Sequence, residues 1–260
     1  MKAIILAGGL GSRLGEYTKD IPKCMLNFQG KSLLERQIDT YRACGVHEII
    51  VVRKHLADKI TMHGVRYIDE TDYSTHMVVG FFCARSEFND DIIMSYGDIL
   101  FEDRVLQTVL KNRADVGVVA DSAWKDYWTA RYDDPREDLE SFELGDEERI
   151  LSLGIPNPPD DKIHARYVGM VKFSQYVLPK IERIYDRASH EFWEKPWYTS
   201  DSFKKAYMTD FIQSLIDHAI DVRAIRIQHG WLEFDTVKDY TYACDWAEHG
   251  RLCEFFHLGK

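Results

Sequence analysis

Short, continuous apolar runs separated by longer stretches of mixed polarity form the main pattern of this 260-residue chain. Such runs are typical of strands that are buried on both faces. They occur at 1–6, 48–52, 65–68, 92–94, 115–120, 148–153 and 167–173. Because strand, helix and strand follow one another near the N-terminus, we predict an α/β fold with parallel strands.

Helical spacing fills several of the stretches between the strands, at 31–43, 104–111, 177–188 and 206–219. Ser32 and Glu35 have the spacing of a capping box at the start of the first helix, and Gly45 is a plausible stop. In the last helix, Thr209 and Asp210 occupy the first turn, where either side chain can cap the helix.

A glycine cluster follows the first predicted strand. The segment consists of Leu6, Ala7, Gly8, Gly9, Leu10, Gly11, Ser12, Arg13 and Leu14, with Pro22 and Lys23 further on. Clustered glycines let the backbone approach a ligand closely, and free amides with nearby cations suit phosphate. Leu14 stands where the dinucleotide fingerprint needs a small residue, and no Gly-Lys-Ser/Thr of a P-loop follows. An ordinary strand-to-loop turn is the alternative.

Acidic residues follow two other predicted strands or extended segments. Gly97 and Asp98 come just after the strand at 92–94, at the sheet edge where α/β proteins bind ligands. Carboxylates there can hold Mg²⁺ between phosphate oxygens, although a turn aspartate that caps the next helix is the alternative. Glu233 and Asp235 alternate along an extended segment, and Asp235 can equally cap a helix.

An aromatic segment interleaved with cations precedes a strongly acidic stretch at 133–148. Its residues include Trp124, Tyr127, Trp128, Arg131 and Tyr132. Exposed tryptophans in a loop suggest a binding role, since a ring suits a cationic amine and a guanidinium suits phosphate. We expect most of these rings to pack an inserted hairpin, and Trp128 and Arg131 to face a ligand.

Composition narrows the class of protein. A net charge of −10 argues against a general nucleic-acid-binding protein, which normally presents a basic face. Five cysteines without a Cys-x-x-Cys pair predict a reduced, cytoplasmic protein. The chain begins directly with a strand, so a signal peptide is not expected, and no apolar run reaches the length of a membrane span.

The glycine segment resembles the signature of nucleotidyltransferases that make nucleoside-diphosphate-activated sugars and alcohols. The matching positions are Gly8, Gly9, Gly11, Ser12, Arg13, Leu14, Thr18, Pro22 and Lys23. The closing motif Trp231-Leu-Glu-Phe-Asp-Thr236 is similar to the phosphocholine cytidylyltransferase-like branch, which includes capsule phosphoglutamine cytidylyltransferases. The resemblance implies one Rossmann-like domain over 1–260, with a mixed, mainly parallel central sheet and an acceptor-side insertion around 121–165 and 189–205.

The resemblance also implies roles for individual residues. Arg13 and Lys23 are the expected catalytic cations, and Asp98 and Asp235 the expected Mg²⁺ ligands. The expected nucleotide-binding residues are Leu6, Ala7, Gly8, Gly9, Gly11, Ser12, Arg13, Lys23, Thr75, Gly97 and Asp98. The expected acceptor-binding residues are Trp128, Arg131, Asp210 and Glu233. His76 departs from the family pattern, and Thr75 can instead cap the helix that follows.

The reaction implied by the resemblance joins a nucleoside triphosphate to a phosphorylated small molecule and releases pyrophosphate. CTP is the expected nucleotide, with a small amine-bearing phosphate or phosphonate as acceptor. Phosphocholine, aminoethylphosphonate and phosphoglutamine are candidates, in bacterial cell-surface or capsule modification. The Glu-Lys-Pro segment of sugar-activating relatives is absent from its usual place, although a sugar-1-phosphate nucleotidyltransferase is an alternative, as is an inactive nucleotide-binding regulatory subunit. The sequence leaves open whether the protein forms a homodimer.

Overall fold

A central sheet with helices on both faces forms the structure, a computed structural model that describes residues 1–132, 134, 136 and 139–259. The strands are β1 (Lys2–Ala7), β2 (Asn27–Phe28), β3 (Lys31–Ser32), β4 (Glu48–Arg53), β5 (Arg66–Asp69), β6 (Ile92–Tyr96), β7 (Ile99–Phe101), β8 (Val116–Asp121), β9 (Glu140–Leu144), β10 (Ile150–Pro156), β11 (Arg166–Phe173), β12 (Val222–Ile227) and β13 (Trp231–Glu233). The α-helices are α1 (Leu33–Ala43), α2 (Met77–Cys83), α3 (Asp103–Lys111), α4 (Trp124–Arg131), α5 (Leu178–Phe192), α6 (Met208–Asp217) and α7 (Val237–Glu248).

The central sheet has the strand order β12-β8-β11-β6-β1-β4-β5. All neighbouring pairs are parallel except those of β11, which runs antiparallel to both β6 and β8. The predicted α/β class and the mixed, mainly parallel sheet are therefore confirmed. Because β1, β4, β5 and β6 run in the same direction, the residues that follow them meet at one edge of the sheet.

Two apolar cores lie on opposite faces of this sheet. Ile5 belongs to one core and its neighbour Ile4 to the other, because successive strand side chains point to opposite faces. The first core contains buried residues of α1, α3, α4 and α7, and the second contains those of α2, α5 and α6. Both faces of the central strands are buried, which explains their continuous apolar sequences.

Most of the predicted elements are present with small shifts of their ends. Helix α1 begins two residues later than predicted because Lys31 and Ser32 pair with β2. The Ser32 hydroxyl accepts a hydrogen bond from the Glu35 backbone N–H at 3.1 Å. The prediction that Ser32 caps this helix is therefore confirmed. The predicted strand at 148–153 is β10, which pairs with β9 in a separate hairpin rather than with the central sheet.

Two regions differ from the sequence-based expectation. Residues Trp124–Arg131 form helix α4, so the expected loop or hairpin of aromatic residues is wrong. Strand β12 was not identified, because Arg223 and Arg226 interrupt its apolar pattern. The strand lies at the edge of the sheet, where Arg223 and Arg226 form ion pairs with Glu147 and Glu148.

No helix in the part of the chain that the structure describes is long and apolar enough to cross a membrane.

Candidate functional site

The glycine loop leaves β1 at the edge of the sheet and continues into a 3₁₀ helix, Ser12–Thr18. Gly11 has a φ of 66°, which favours glycine, and its carbonyl accepts a hydrogen bond from the Thr18 hydroxyl at 2.7 Å. At the end of β6, a Cβ on Gly97 would lie 2.9 Å from the carbonyl oxygen of Leu6. Glycine at this position therefore lets the turn after β6 approach the end of β1 closely.

Lys23 lies between two carboxylates at this edge. Its Nζ forms ion pairs with Asp98, which follows β6, and with Asp235, which follows β13. The Arg13 guanidinium binds the other oxygen of Asp235 at 3.0 Å. The structure thus brings together two acids that lie 137 positions apart in the sequence (235 − 98), along with both predicted catalytic cations.

The electrostatics of this cluster favour the charged forms of Lys23 and Asp235. Burial alone would lower the pKa of Lys23, but the attraction of Asp98 and Asp235 outweighs it, so the pKa is raised. Burial would raise the pKa of Asp235, but the Lys23 ammonium holds that pKa below its usual value. Both shifts favour the charged forms, the Lys23 ammonium and the Asp235 carboxylate.

The helix-capping alternatives for the two acids are wrong. Glu102, not Asp98, occupies the N-cap position of α3. The N-cap of α7 is Thr236, whose hydroxyl accepts a hydrogen bond from the Asp239 backbone N–H. Neither carboxylate has its position explained by a helix terminus.

An open cleft of about 430 Å³ extends from this cluster along the glycine loop. Its lining includes the glycine loop and Asp235, together with Lys54, Glu70, Tyr73, Thr75, His76 and Gly80. Thr75 does not cap α2, because His76 takes the N-cap position without a side-chain bond. Burial is the main cause that lowers the pKa of His76.

Lys54 and Glu70 are cleft residues that sequence reasoning missed. Both are buried and form an ion pair of 2.8 Å. Each directly follows a predicted strand, β4 or β5, and that is the signal that could have identified them.

The structure corrects the interpretation of Trp128. Its side chain is 0% exposed, within the core beneath α4. The guanidinium groups of Arg131 and Arg166 lie 4.6 and 4.2 Å from the centre of its ring. The ring surface that was expected to receive a cationic ligand therefore contacts the protein's own cations.

Arg131 is also buried, at 1% exposure, and binds two acids of the chain. Its Nε donates to Asp239 at 2.9 Å and its Nη1 to Glu233 at 3.0 Å. Burial and the negative charge of Asp235 raise the pKa of Glu233. Glu233 is partly exposed. Arg131 is not, and its ion pairs hold Glu233 and Asp239 in place, so the interpretation of Arg131 as an acceptor-binding residue is wrong.

Asp210 is buried at the start of α6, and its contacts correct the acceptor-binding interpretation. One oxygen accepts hydrogen bonds from the backbone N–H and hydroxyl of Thr199, at 2.9 and 2.6 Å. The other accepts from the Ser200 hydroxyl and the Tyr207 backbone N–H, at 2.5 and 3.2 Å. Both oxygens are occupied, so the carboxylate fastens the 199–207 segment to the helix.

Comparisons with known proteins agree with the geometry. The MobA-like NTP transferase domain matches residues 3–186. The chain belongs to this family. It is therefore a nucleotidyltransferase, which confirms the resemblance seen in the glycine segment.

Individual relatives cover nearly the whole chain. The CTP:phosphoglutamine cytidylyltransferase of Campylobacter jejuni is 32% identical over 251 residues, which are 92% of this chain and 97% of the relative. The inositol-1-phosphate CTP transferase of T. maritima has a TM-score of 0.70 at 19% identity and covers 99% of this chain and 98% of its own. The CTP:phosphocholine cytidylyltransferase of Streptococcus pneumoniae has a TM-score of 0.69 at 19% identity, with coverage of 95% and 98%. These similarities confirm the Rossmann-like nucleotidyltransferase fold.

Proposed function

We propose that this nucleotidyltransferase transfers CMP from CTP to a small phosphorylated or phosphonate acceptor that carries an amine. The products are a CDP-activated (or CMP-activated) molecule and pyrophosphate. The observation that carries the proposal is the position of Lys23 between Asp98 and Asp235, at the mouth of the glycine-lined cleft. The similarity to a CTP:phosphoglutamine cytidylyltransferase over nearly the whole chain supports CTP and an amino-acid-like acceptor.

The cleft supports a nucleotide lying along the glycine loop. The loop from Gly8 to Arg13 borders one wall and supplies backbone amides, which suit the triphosphate. Lys23 and Arg13 sit at the end of the cleft that also contains Asp235. We assign the triphosphate to this end because Arg13 and Lys23 lie there beside the glycine backbone.

Magnesium fits the same end of the cleft. One oxygen of Asp98 is buried and has no hydrogen-bond partner among the described residues. No group of three or more His, Cys, Asp or Glu side chains in the described ranges forms a protein-only metal cage. Mg²⁺ prefers one or two carboxylates together with substrate phosphates and water, so Asp98 and Asp235 suit it. The ion would neutralise phosphate charge there.

The chemical step in the proposal is an in-line displacement. A phosphate or phosphonate oxygen of the acceptor forms a bond to the α-phosphorus of CTP, and the bond to the bridging oxygen of pyrophosphate breaks. The Lys23 ammonium, held in place by its two carboxylates, stabilises the charge that grows on the α-phosphate oxygens. No covalent enzyme intermediate is needed, so orientation and charge neutralisation supply the rate enhancement.

Glu233 is the acceptor contact that the geometry supports best. It is partly exposed, lies two positions before Asp235, and is held by Arg131 and by the Tyr127 hydroxyl, which accepts from the Glu233 backbone N–H at 3.1 Å. A carboxylate in this place suits an amine on the acceptor. We further propose that the segments around 121–165 and 189–205 make up the acceptor side of a single domain; residues 133, 135, 137 and 138 of the first segment lie outside the described part of the chain.

A pyrophosphate-release assay tests the proposal. Each of the four ribonucleoside triphosphates is combined with phosphoglutamine, phosphocholine, aminoethylphosphonate and glucose 1-phosphate, in the presence of Mg²⁺. We expect turnover with CTP and an amine-bearing acceptor. Turnover with the sugar phosphate alone would replace the acceptor assignment, and none with any pair would favour a regulatory nucleotide-binding role.

The free state of all five cysteines supports a reduced, cytoplasmic setting for this reaction.

A further inference from the structure

A buried polar side chain interrupts the apolar face of α1. Gln37 is 1% exposed, and the other buried residues of this helix are Leu33, Leu34, Ile38 and Tyr41. A buried amide costs free energy unless the protein supplies its hydrogen-bond partners. Gln37 therefore needs polar partners in the core, and those partners identify what it does.

The amide group of Gln37 spans the turn between β6 and β7. Its Nε2 donates to the carbonyl of Tyr96 at 2.9 Å and to the carbonyl of Ile99 at 2.7 Å. Both N–H donors of the amide are thus used, and because carbonyls only accept, the nitrogen must face the turn. The two carbonyls lie on either side of Gly97 and Asp98, so the amide bridges the pair of residues that contains a predicted Mg²⁺ ligand.

The oxygen of the same amide is held as well. Gln37 Oε1 accepts a hydrogen bond from the Ser95 hydroxyl at 3.1 Å, and the Ser95 hydroxyl oxygen accepts one from the Tyr41 hydroxyl at 3.0 Å. Ser95 belongs to β6, and Tyr41 lies one turn further along α1. The amide is therefore fixed at both of its polar atoms, by the strand before the turn and by the turn itself.

The pairing of β7 with β13 does not supply the donor that Gln37 gives to Ile99. The Phe234 N–H donates to the Asp98 carbonyl at 3.0 Å, so Asp98 occupies a hydrogen-bonded position opposite β13. Hydrogen-bonded and non-bonded positions alternate along an antiparallel pair, so the Ile99 carbonyl points away from β13. Phe234 also directly precedes Asp235, and the bridged turn is thereby joined to the backbone beside the second acid.

Asp98 depends on this turn for the direction of its carboxylate. Its Oδ2 pairs with Lys23, whereas Oδ1 is buried without a hydrogen-bond partner within the described ranges. The turn is held from β1, where the Gly97 N–H donates to the Leu6 carbonyl at 3.0 Å, from β13 and from Gln37. Gln37 makes its contacts with a side chain, so a substitution can remove them without altering the backbone.

We propose that Gln37 is a positioning residue for Asp98, with an amide that holds the turn so that the free carboxylate oxygen faces the Mg²⁺ of the bound nucleotide. The inference rests on the reaction and the Mg²⁺ position proposed above, and it adds a residue that lies outside the lining of the cleft. Groups that orient a metal ligand from outside its coordination sphere typically contribute about 10- to 100-fold in metal affinity or activity.

Gln37→Met tests this role, and Tyr41→Phe is its matched control. Methionine is a flexible apolar residue that can fill the space of the glutamine, but it offers no donor to the turn. Tyr41→Phe removes the hydroxyl at the far end of the same buried chain of hydrogen bonds and leaves both bonds from Gln37 to the turn in place. Both variants alter the core, and Gln37→Met also releases the turn.

The first measurement is the affinity for CTP by calorimetry, with Mg²⁺ and with EDTA, in the absence of acceptor. Mg²⁺ should tighten the binding of CTP to the unaltered protein. Gln37→Met should weaken the affinity in Mg²⁺ by about tenfold or more and leave the affinity in EDTA unchanged, and Tyr41→Phe should retain the full gain from Mg²⁺. A role in core packing alone would leave the gain the same in all three proteins and would overturn the inference.

The second measurement is hydrogen–deuterium exchange without nucleotide or metal. In Gln37→Met the amides of Gly97 and Phe234, which bond the turn to β1 and β13, should exchange faster, while amides of β4 keep their rates. In Tyr41→Phe the Gly97 and Phe234 amides should keep their rates too. Faster exchange throughout the sheet in Gln37→Met would indicate general destabilisation and would overturn the inference.

A second variant keeps the inference testable if Gln37→Met does not fold. Ser95→Ala removes only the hydroxyl that orients the amide oxygen of Gln37. A smaller loss of the gain from Mg²⁺ in this variant would support the inference, and full retention would overturn it. Failure of the proposed function has a different signature: no acceptor would release pyrophosphate, while the gain from Mg²⁺ and its loss in Gln37→Met would remain.

Discussion

The proposed nucleotide side, around the glycine-lined cleft, and the proposed acceptor side, around α4, differ in how their charged residues are arranged. On the nucleotide side, Lys23, Asp98, Lys54 and Glu70 directly follow turns or strands at the edge of the parallel sheet and line or adjoin an open cleft. On the acceptor side, Arg131 lies inside the core. A charged or aromatic residue in a motif therefore need not contact a ligand. Its role depends on whether the protein itself already occupies its binding groups.

A residue whose polar groups are bound inside the protein should affect mainly unfolding, and a residue that faces the cleft should affect mainly turnover. Stability and activity are therefore measured separately for each substitution.

Arg131→Met should produce the largest effect, on stability. The change removes the buried partner of Asp239 and Glu233, and breaking a buried ion pair by removing one member costs about 3–5 kcal/mol. Urea unfolding measures this loss in the free energy of unfolding. Arg85→Met is the matched control, since Arg85 pairs with Asp186 at the surface and should change stability by about 0–1 kcal/mol. Equal effects of the two substitutions would contradict the buried role of Arg131.

Lys23→Ala should lower kcat/KM for CTP by about 10²- to 10³-fold, because it removes the cation that stabilises charge at the α-phosphate. The free energy of unfolding should change less than in Arg131→Met, because Asp98 and Asp235 are more exposed than Asp239 and because Arg13 still pairs with Asp235. Pyrophosphate release gives the rate, and circular dichroism reports the fold. Lys31→Ala, which alters an exposed pair with Asp39, should retain full activity. Survival of turnover in Lys23→Ala would mean that the assigned catalytic role is wrong.

Asp210→Asn should destabilise the protein by about 1–3 kcal/mol, because an amide cannot accept all the hydrogen bonds that the buried carboxylate receives. The KM for the acceptor should stay the same. Thermal unfolding and acceptor titrations separate the two effects. A raised KM with unchanged stability would restore Asp210 as an acceptor contact.

Ser32→Ala should have the smallest effect, a loss of about 1 kcal/mol, because it removes the hydroxyl that caps α1. Chemical denaturation measures this loss, and Ser32→Thr should recover most of it. Activity should be unaffected in both variants. A change in KM for CTP would show that the start of α1 is coupled to the cleft.

Much of the nucleotide side could be predicted because its determinants are local. An apolar run followed by Gly8 and Gly9 predicts a buried strand and a phosphate-binding turn, and Asp98 follows another such strand. The direction of parallel strands then places both at one edge. Lys54 and Glu70 follow strands in the same way, but they lie outside any recognised motif, and so they were missed.

The proposed acceptor side was not predicted in this way. Trp124, Tyr127, Trp128 and Arg131 have the i, i+3, i+4, i+7 spacing of one buried helix face, but a cation among aromatic rings in this set also resembles a binding segment. The partners of Arg131 come from α7 and the segment around β13, more than 100 positions later in the chain. Asp210 likewise gave no sign in the sequence that Thr199 and Ser200 would occupy its oxygens.

The α/β class, the parallel strands and the glycine and acidic residues at their ends could be predicted from the sequence, because strand propensity, glycine turns and connection rules act over short distances. The folded structure was needed to show that Lys23 lies between Asp98 and Asp235, that two arginines contact the Trp128 ring, and that Thr199 and Ser200 bind the Asp210 carboxylate. Each of these outcomes depends on which distant side chains satisfy a polar group first, and local sequence does not contain that information.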